Sequence, residues 1–358
     1  MVAAVLLAAA VAHVGLVYEP YTFLIGDCPY YAETAISLAV DRDLDLRNQL
    51  GGGVETHARQ ISLGARGEWY PKHPILMPVL TVPLLPVFGM KSFLVFNVAV
   101  LVLLTLVLYA LSLRSASPPA AAAGALATLF GSFLFFYDYN YSPDLFACLV
   151  LMLSVLALFR DRPASAGVAA GIAVLARTSN LFLLPLLLAF AAWRRRARGA
   201  TAFALACAAP LLLQGALNAA MFGSPLTSPY SRIITLEGGR IVLHSHMSDF
   251  GNPLLDGIRG QLLDRDRGLV FTAPVVLLAI PGLVLWFRRR RDQALLAFGL
   301  GEFLFLLFSR YLYWPTSHLG NRFLIPLVAL AAPAVACLAD AMISRLSPRG
   351  ARRAAAVS

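Results

Sequence analysis

Charged residues are scarce in this chain. Asp, Glu, Lys and Arg make up 13% of its 358 residues, against about 25% in soluble domains. So little charge cannot cover a water-facing surface. A soluble enzyme, a nucleic-acid-binding domain and a disordered chain are therefore excluded, despite a sequence pI of about 9.8. Cysteine is scarce as well. Of the four, Cys148, Cys207 and Cys337 fall inside apolar runs and Cys28 has no obvious partner, so there is no disulfide framework and no zinc or redox spacing. A nucleotide-binding glycine loop is also missing, because Gly51-Gly52-Gly53 lacks a strand–helix context and reads as a flexible turn. What fills the chain is apolar residue, 59% of the whole, with a mean hydropathy of +0.73. It reads as a polytopic membrane protein.

Ten apolar stretches stand out, at 2–18, 92–112, 119–136, 145–159, 164–176, 181–193, 200–221, 269–287, 293–312 and 323–342. Their Leu/Ala/Val runs lack the alternation of barrel strands, and helices satisfy every backbone group within lipid. The expected fold is all-α, with about ten transmembrane helices in a single domain over 1–358. Stretches 164–176 and 181–193 are shorter than the ~20 residues of a full span and read as a pair meeting at Arg177-Thr178-Ser179-Asn180. Alternate loops hold 15 of the 29 Lys and Arg residues with only three acids (Asp161, Asp292 and Asp340), while the remainder holds 14 cations and 16 acids. This positive-inside pattern places both termini in the cytoplasm, including a basic tail at 343–358, and puts the long loops 19–90 and 223–268 outside. The basic excess is thus a topology signal and no nucleic-acid footprint. Residues 2–18 admit a second reading, a signal peptide cleaved near Ala10-Val11-Ala12. No Lys or Arg precedes that run and it continues to Val17, which favours an uncleaved helix.

Unusual polar residues gather on the outer side. Gly26-Asp27-Cys28-Pro29-Tyr30-Tyr31 leads into a segment whose Ala35, Leu38 and Ala39 mark one face of a short helix lying on the membrane. Asp27 stands just ahead of that helix, and local sequence favours a cap there over catalysis, although Pro29 makes a cap awkward. Trp69-Tyr70-Pro71-Lys72-His73-Pro74 reads either as an anchoring belt or as a lipid-phosphate site, to which Lys brings a compact cation and His a second hydrogen bond. Asp144 follows Pro143 and opens the fourth span, where an acid favours the helix dipole. Glu302 lies midway along the ninth span, where a charge is costly, and reads equally as a structural acid or a functional one. Arg310 lies eight residues later; with Arg177 and Arg322 it sits at an outer helix end against the positive-inside trend, which anion binding explains. His244-Ser245-His246 with Asp249 suggests metal ligands, but no further ligand set supports one and a solvated loop is favoured.

In this order, the residues resemble the bacterial GT-C superfamily of glycosyltransferases that use polyprenyl-phosphate sugars, whose members include protein O-mannosyltransferases and lipid A aminoarabinose transferases. Gly26-Asp27 with Pro29-Tyr30-Tyr31 resembles the acidic motif of the first periplasmic loop, and Tyr70-Pro71-Lys72-His73-Pro74 its second patch. Ser142-Pro143-Asp144-Leu145 resembles the acid opening the fourth helix. Asn218 through Phe222-Gly223-Ser224-Pro225-Leu226, with Arg267-Gly268-Leu269 and Ala273-Pro274, resembles the later periplasmic loop and its return helix. Gly320-Asn321-Arg322-Phe323-Leu324-Ile325-Pro326 resembles the Gly-x-Arg-Tyr-x-x-Pro start of a late helix. Family members often carry Asp-Glu at the first motif; here Cys28 follows Asp27, so a paired carboxylate is missing. The chain also lacks the soluble C-terminal domain of many larger members.

The resemblance implies an inverting transfer of a sugar from a polyprenyl-phosphate donor to an acceptor hydroxyl, at the extracytoplasmic face of a bacterial inner membrane. The acceptor, whether glycan, lipid or protein, is left open. Asp27 is implied as general base, with Asp144 positioning the acceptor or a basic partner. Lys72, His73, Arg177, Arg310 and Arg322 would hold the donor phosphate, and Tyr30, Tyr31, Tyr70 and Glu302 would line the substrate pocket. No cofactor is expected, and without a carboxylate pair at Asp27 nothing supports a divalent metal. Two other readings stay open, a transporter or lipid flippase and a non-catalytic assembly subunit. Transporters commonly carry internal repeats, and none is seen.

Overall fold

A computed structural model describes residues 7–9, 11–12, 26–316 and 320–346. Most of the first apolar stretch, with its helix-or-signal question, and the tail beyond residue 346 lie outside the described residues.

The described apolar runs are mainly helical, with boundaries set by proline and arginine. After helix α1 (Cys28–Val40) come α2 (Ser92–Ser112), α3 (Pro118–Phe130), α4 (Pro143–Phe159) and α5 (Pro163–Ala176). The last three each start on proline, whose fixed φ suits the first helical turn and whose missing N–H is not needed there. They continue as α6 (Leu184–Phe222), α7 (Leu254–Leu263), α8 (Val275–Arg289), α9 (Arg291–Ser309) and α10 (Ala332–Leu346). Helix α6 is two legs: Arg195 and Arg196 are non-helical, with φ of −131° and +53°. Gly199 then lies against the Ala191 backbone, so the chain doubles back. The stretches at 181–193 and 200–221 are those two legs.

Among the described residues, four helical runs are long and apolar enough to cross a membrane: Leu76–Ser112, Thr178–Phe222, Arg291–Ser309 and Arg322–Leu346. Pro118–Phe130, Pro143–Phe159 and Pro163–Ala176 are shorter apolar helices. The protein is a multi-pass, mainly helical membrane protein.

Two expectations need correction. The stretch 19–90 is not loop throughout; prolines break its later part into short helical pieces, Leu76–Thr81, Val82–Leu84 and Leu85–Phe88, which run on into α2. The fold is also not wholly α. Strands β1 (Ile61–Leu63), β2 (Trp69–Pro71), β3 (Ile233–Glu237) and β4 (Arg240–His244) form an antiparallel sheet in the order β2-β1-β3-β4. Ser62 of β1 pairs with Ile233 of β3, so the sheet joins the two long loops. Leu46, Leu50, Ile61 and Ile234 form a small core beneath it.

The arginine-rich loops meet at one end of the bundle. Arg194 bridges Asp161 and Asp292 at 2.8 and 2.7 Å, Arg289 pairs with Asp340 at 2.7 Å, and Arg290 donates to the Arg114 carbonyl. Small residues let the helices approach closely, as is usual where lipid removes the hydrophobic drive for association. A Cβ on Gly167 of α5 would overlap the Phe203 backbone of α6. Gly167→Val is therefore expected to destabilise by roughly 1–3 kcal/mol, read as a lower melting temperature in detergent; an unchanged midpoint would mean that α5 and α6 can separate at no cost.

Candidate active site

Away from the arginine-rich loops, the two long loops and helix ends enclose a cavity of about 330 Å³. Two glycines in the left-handed region set its main ion pair: Gly26 (φ +63°) turns the chain into Asp27, and Gly320 (φ +63°) turns it into Asn321-Arg322. Asn321 accepts from the Phe323 N–H at 3.0 Å and donates to Gln261 of α7 at 3.0 Å, while Gln261 reaches Ser309 at 2.5 Å. This buried network fixes Arg322 against α7 and the end of α9.

Asp27 makes no side-chain cap bond to α1, although it stands at the N-cap position. It turns inward instead. Arg322 donates to its Oδ2 at 2.8 Å, while Lys72 Nζ and His73 Nε2 lie 3.8 and 3.5 Å from Oδ1. Lys72 also donates to the Arg59 carbonyl at 2.6 Å, and Tyr31 stacks on His73 at 4.8 Å. Burial by itself would raise the Asp27 carboxyl. The charge and hydrogen bond of His73 and the charges of Arg322 and Lys72 outweigh it and hold the group well below the usual carboxylate range. Burial pushes His73 down to about 4, so near neutral pH the imidazole is uncharged and Arg322 and Lys72 keep Asp27 ionised.

A second buried pair lies alongside, Asp144 with Arg177, where Asp144 also accepts from Ser142 at 2.8 Å. The Arg177 and Arg322 guanidinium groups lie against the same Phe323 ring, at 5.0 and 5.2 Å from its centre. Asp27, Tyr31, Lys72, His73, Asp144, Arg177 and Arg322 all line the cavity.

Four expected site residues lie elsewhere. Glu302 is exposed on the outer face of α9, and Arg310 is exposed at its end. Depth along the span suggested them; rotation about the helix axis turns both away from the packed interior. Tyr70 sits in β2 opposite Ser62 and packs edge-on against Phe222. Tyr30 lies one position round α1 from Tyr31 and bonds His57 at 3.1 Å. The membrane-facing stripe expected on α1 also differs, because Cys28, Tyr31, Ala32, Thr34, Ala35 and Ser37 are its buried residues while Ala39 is exposed.

The largest surprise is the His244–Asp249 segment, which forms a cavity wall where a solvated loop was expected. Asp249 is buried (4% exposed) between His244 Nε2 at 2.9 Å and His246 Nδ1 at 2.5 Å. Tyr230 stacks on His246 at 5.1 Å, and the Tyr311 hydroxyl is 3.4 Å from His246 Nε2. Among the described residues, no three His, Cys, Asp or Glu side chains are grouped as metal ligands. The spacing of these histidines was visible in the sequence; their covering by Tyr230 and Tyr311, from distant segments, was not. Arg59, which donates to the Tyr313 hydroxyl at 2.5 Å on the cavity rim, carried no sequence signal.

Solved structures share this fold. The chain aligns with ArnT from Cupriavidus metallidurans, solved bound to undecaprenyl phosphate, at TM-score 0.59 and 17% identity, covering 98% of this chain and 61% of that one. It aligns with the oligosaccharyltransferase AglB from Archaeoglobus fulgidus, solved with an inhibitory peptide and a dolichol-phosphate, at TM-score 0.61 and 12% identity, covering 98% and 51%. It thus spans about three-fifths and about half of those proteins, and the likeness is one of fold. No curated protein is a significant match. The profile of glycosyltransferase family 87 matches residues 72–310. The chain belongs to that family.

Proposed function

We propose that the protein transfers a sugar, with inversion, from a polyprenyl-phosphate donor to an acceptor hydroxyl at the extracytoplasmic face of a bacterial inner membrane. The observation that carries this reading is one buried carboxylate, Asp27, shared by Arg322, Lys72 and His73 in a cavity that also holds Arg177. A phosphate diester needs such donors, and they strengthen their hold as the leaving oxygen gains charge. The undecaprenyl phosphate and dolichol-phosphate in the ArnT and AglB structures support that class of donor. The arginine-rich loops at the other end support the outward orientation and cytoplasmic termini. The apolar runs support about ten spans.

In this reading Arg322, Lys72 and Arg177 take the phosphate oxygens, with His73 assisting. Asp27 orders these cations while the cavity is empty of donor. Asp144 fixes Arg177. Tyr31 holds the His73 ring. The test is transfer of labelled sugar by the purified, reconstituted chain from a panel of undecaprenyl-phosphate hexoses; no transfer from any of them, with no binding of undecaprenyl phosphate, would end the reading. Lys72→Ala is expected to raise the apparent donor KM about 10-fold or more, the value of a lost charged hydrogen bond. An unchanged KM would return Lys72 to a membrane-anchoring belt.

A further inference from the structure

Orientation in a membrane needs only a count of cations on each side, but the arginine-rich loops hold theirs in a defined arrangement. Two arginines take all three acids there: Arg194 bridges Asp161 and Asp292, and Arg289 pairs with Asp340. The 2.7 Å contact from Arg194 to Asp292 pins the elbow of α6 to the α8–α9 junction. It thereby holds two runs together, Trp193-Arg194-Arg195-Arg196-Ala197-Arg198 and Phe287-Arg288-Arg289-Arg290-Arg291. Arg195, Arg196, Arg198, Arg288 and Arg291 are all exposed, and among the described residues none of them pairs with a carboxylate. Arg196 turns the elbow at φ +53°, a region that favours glycine, so the chain accepts backbone strain at that corner and keeps a guanidinium there. Every cation in both runs is arginine, whose planar fork matches phosphate oxygens two at a time.

What surrounds the runs points to lipid as the source of that phosphate. Leu277, Ile280, Val284 and Phe287 form an exposed stripe along α8 that ends against Arg288 and Arg291, and the Arg291 guanidinium lies over the Phe287 ring at 5.4 Å. On the other elbow Trp193 is 59% exposed beside its arginines. An apolar stripe that runs into an aromatic ring and then into cations follows the profile of a bilayer, from acyl chain through interface to headgroup. An acidic peptide would meet the arginines and leave the stripe and the rings unmatched.

We propose that the two elbows form a binding site for anionic phospholipid headgroups. Arg195, Arg196 and Arg198 of one elbow and Arg288 and Arg291 of the other take the phosphate oxygens, while Trp193 and Phe287 lie along the upper acyl chains. A headgroup bound there neutralises arginines that otherwise repel one another, and it fastens the α6 elbow to the α8–α9 junction alongside the Arg194–Asp292 contact. Such a site is separate from sugar transfer and exists whether or not the cavity is catalytic.

The experiment titrates the full chain, in a neutral detergent, with phosphatidylglycerol or phosphatidylcholine and follows the melting temperature. Phosphatidylglycerol near saturation is expected to raise the midpoint by about 3 °C or more, and phosphatidylcholine to shift it by less than about 1 °C. Inorganic phosphate at the same concentration should have no effect. The variant Arg195→Gln/Arg196→Gln/Arg198→Gln should need about 100-fold more phosphatidylglycerol, at roughly 5-fold per arginine. It removes three of the 15 cations on this side, so the charge asymmetry that orients the chain remains. Arg288→Gln/Arg291→Gln tests the other elbow independently and should raise the requirement about 25-fold. Arg66→Gln/Arg240→Gln/Arg265→Gln, which removes three exposed arginines of the long loops, should titrate like wild type. Equal shifts with the two lipids, the same rise with inorganic phosphate, or an unchanged requirement in either elbow variant that folds would overturn the proposal. An equal loss in the long-loop variant would reduce the effect to net charge, and a loss in Lys72→Ala alone would put the lipid in the cavity; both outcomes count against the elbows. Sugar transfer is measured in none of these arms, so a negative result here leaves the glycosyltransferase reading standing.

Discussion

Asp27→Asn is expected to lower sugar transfer by at least ~100-fold and to lower the melting temperature. The substitution keeps the shape of the side chain and removes a carboxylate charge that Lys72 and Arg322 share. Removing one partner of a buried ion pair costs about 3–5 kcal/mol, because the other is left uncompensated. Arg322 keeps 26% of its side chain exposed, so the lower end of that range applies. A donor phosphate can replace the missing charge. Undecaprenyl phosphate should therefore raise the melting temperature of the variant more than that of wild type, even as turnover falls. Thermal shift with and without the lipid measures this directly. Equal shifts in the two proteins would mean that Asp27 does not order the phosphate site, and would favour the general-base role that the family resemblance implies for it. Wild-type turnover in the variant would remove Asp27 from the site altogether.

Asp144→Ala has the second largest expected effect. Asp144 is 4% exposed, and the guanidinium it neutralises keeps only 17% of its side-chain surface in contact with solvent. Truncation leaves Arg177 buried beside Arg322 on the Phe323 ring, with like charges facing each other. A loss of about 3–5 kcal/mol is expected. The double variant Asp144→Ala/Arg177→Ala should recover part of it, since the orphaned charge is gone, and the cycle yields the coupling energy. Additive losses would mean that the pair contributes nothing as a pair.

The helices were legible because lipid imposes a single rule, an apolar run long enough to satisfy its own backbone, and the runs at 92–112 and 145–159 match α2 and α4 within two residues. Arg177 and Arg322 were legible because cations at those helix ends oppose the charge trend, a signal that also pointed to Arg310, and Lys72 because it stands between aromatic and proline residues. Glu302 misled because depth was considered without rotation about the helix axis. The β3–β4 hairpin was signalled by Ile233-Ile234-Thr235-Leu236 and Ile241-Val242-Leu243 flanking Gly238-Gly239, a short-range turn signature hidden within an otherwise helical pattern. The place of His246 in the cavity wall was not readable from local sequence. Its tautomer, burial and outlook depend on Asp249, Tyr230 and Tyr311, and the last two come from other segments.

The Asp27–Arg322 contact joins positions 295 residues apart. During synthesis the carboxylate leaves the ribosome long before its guanidinium does, so until the last helix is threaded into the bilayer it must be satisfied by water or by Lys72. Completion of the ion pair is thus a late event in biogenesis, and a nascent chain halted short of Gly320 would lack both Arg322 and the buried apolar run Arg322–Leu346.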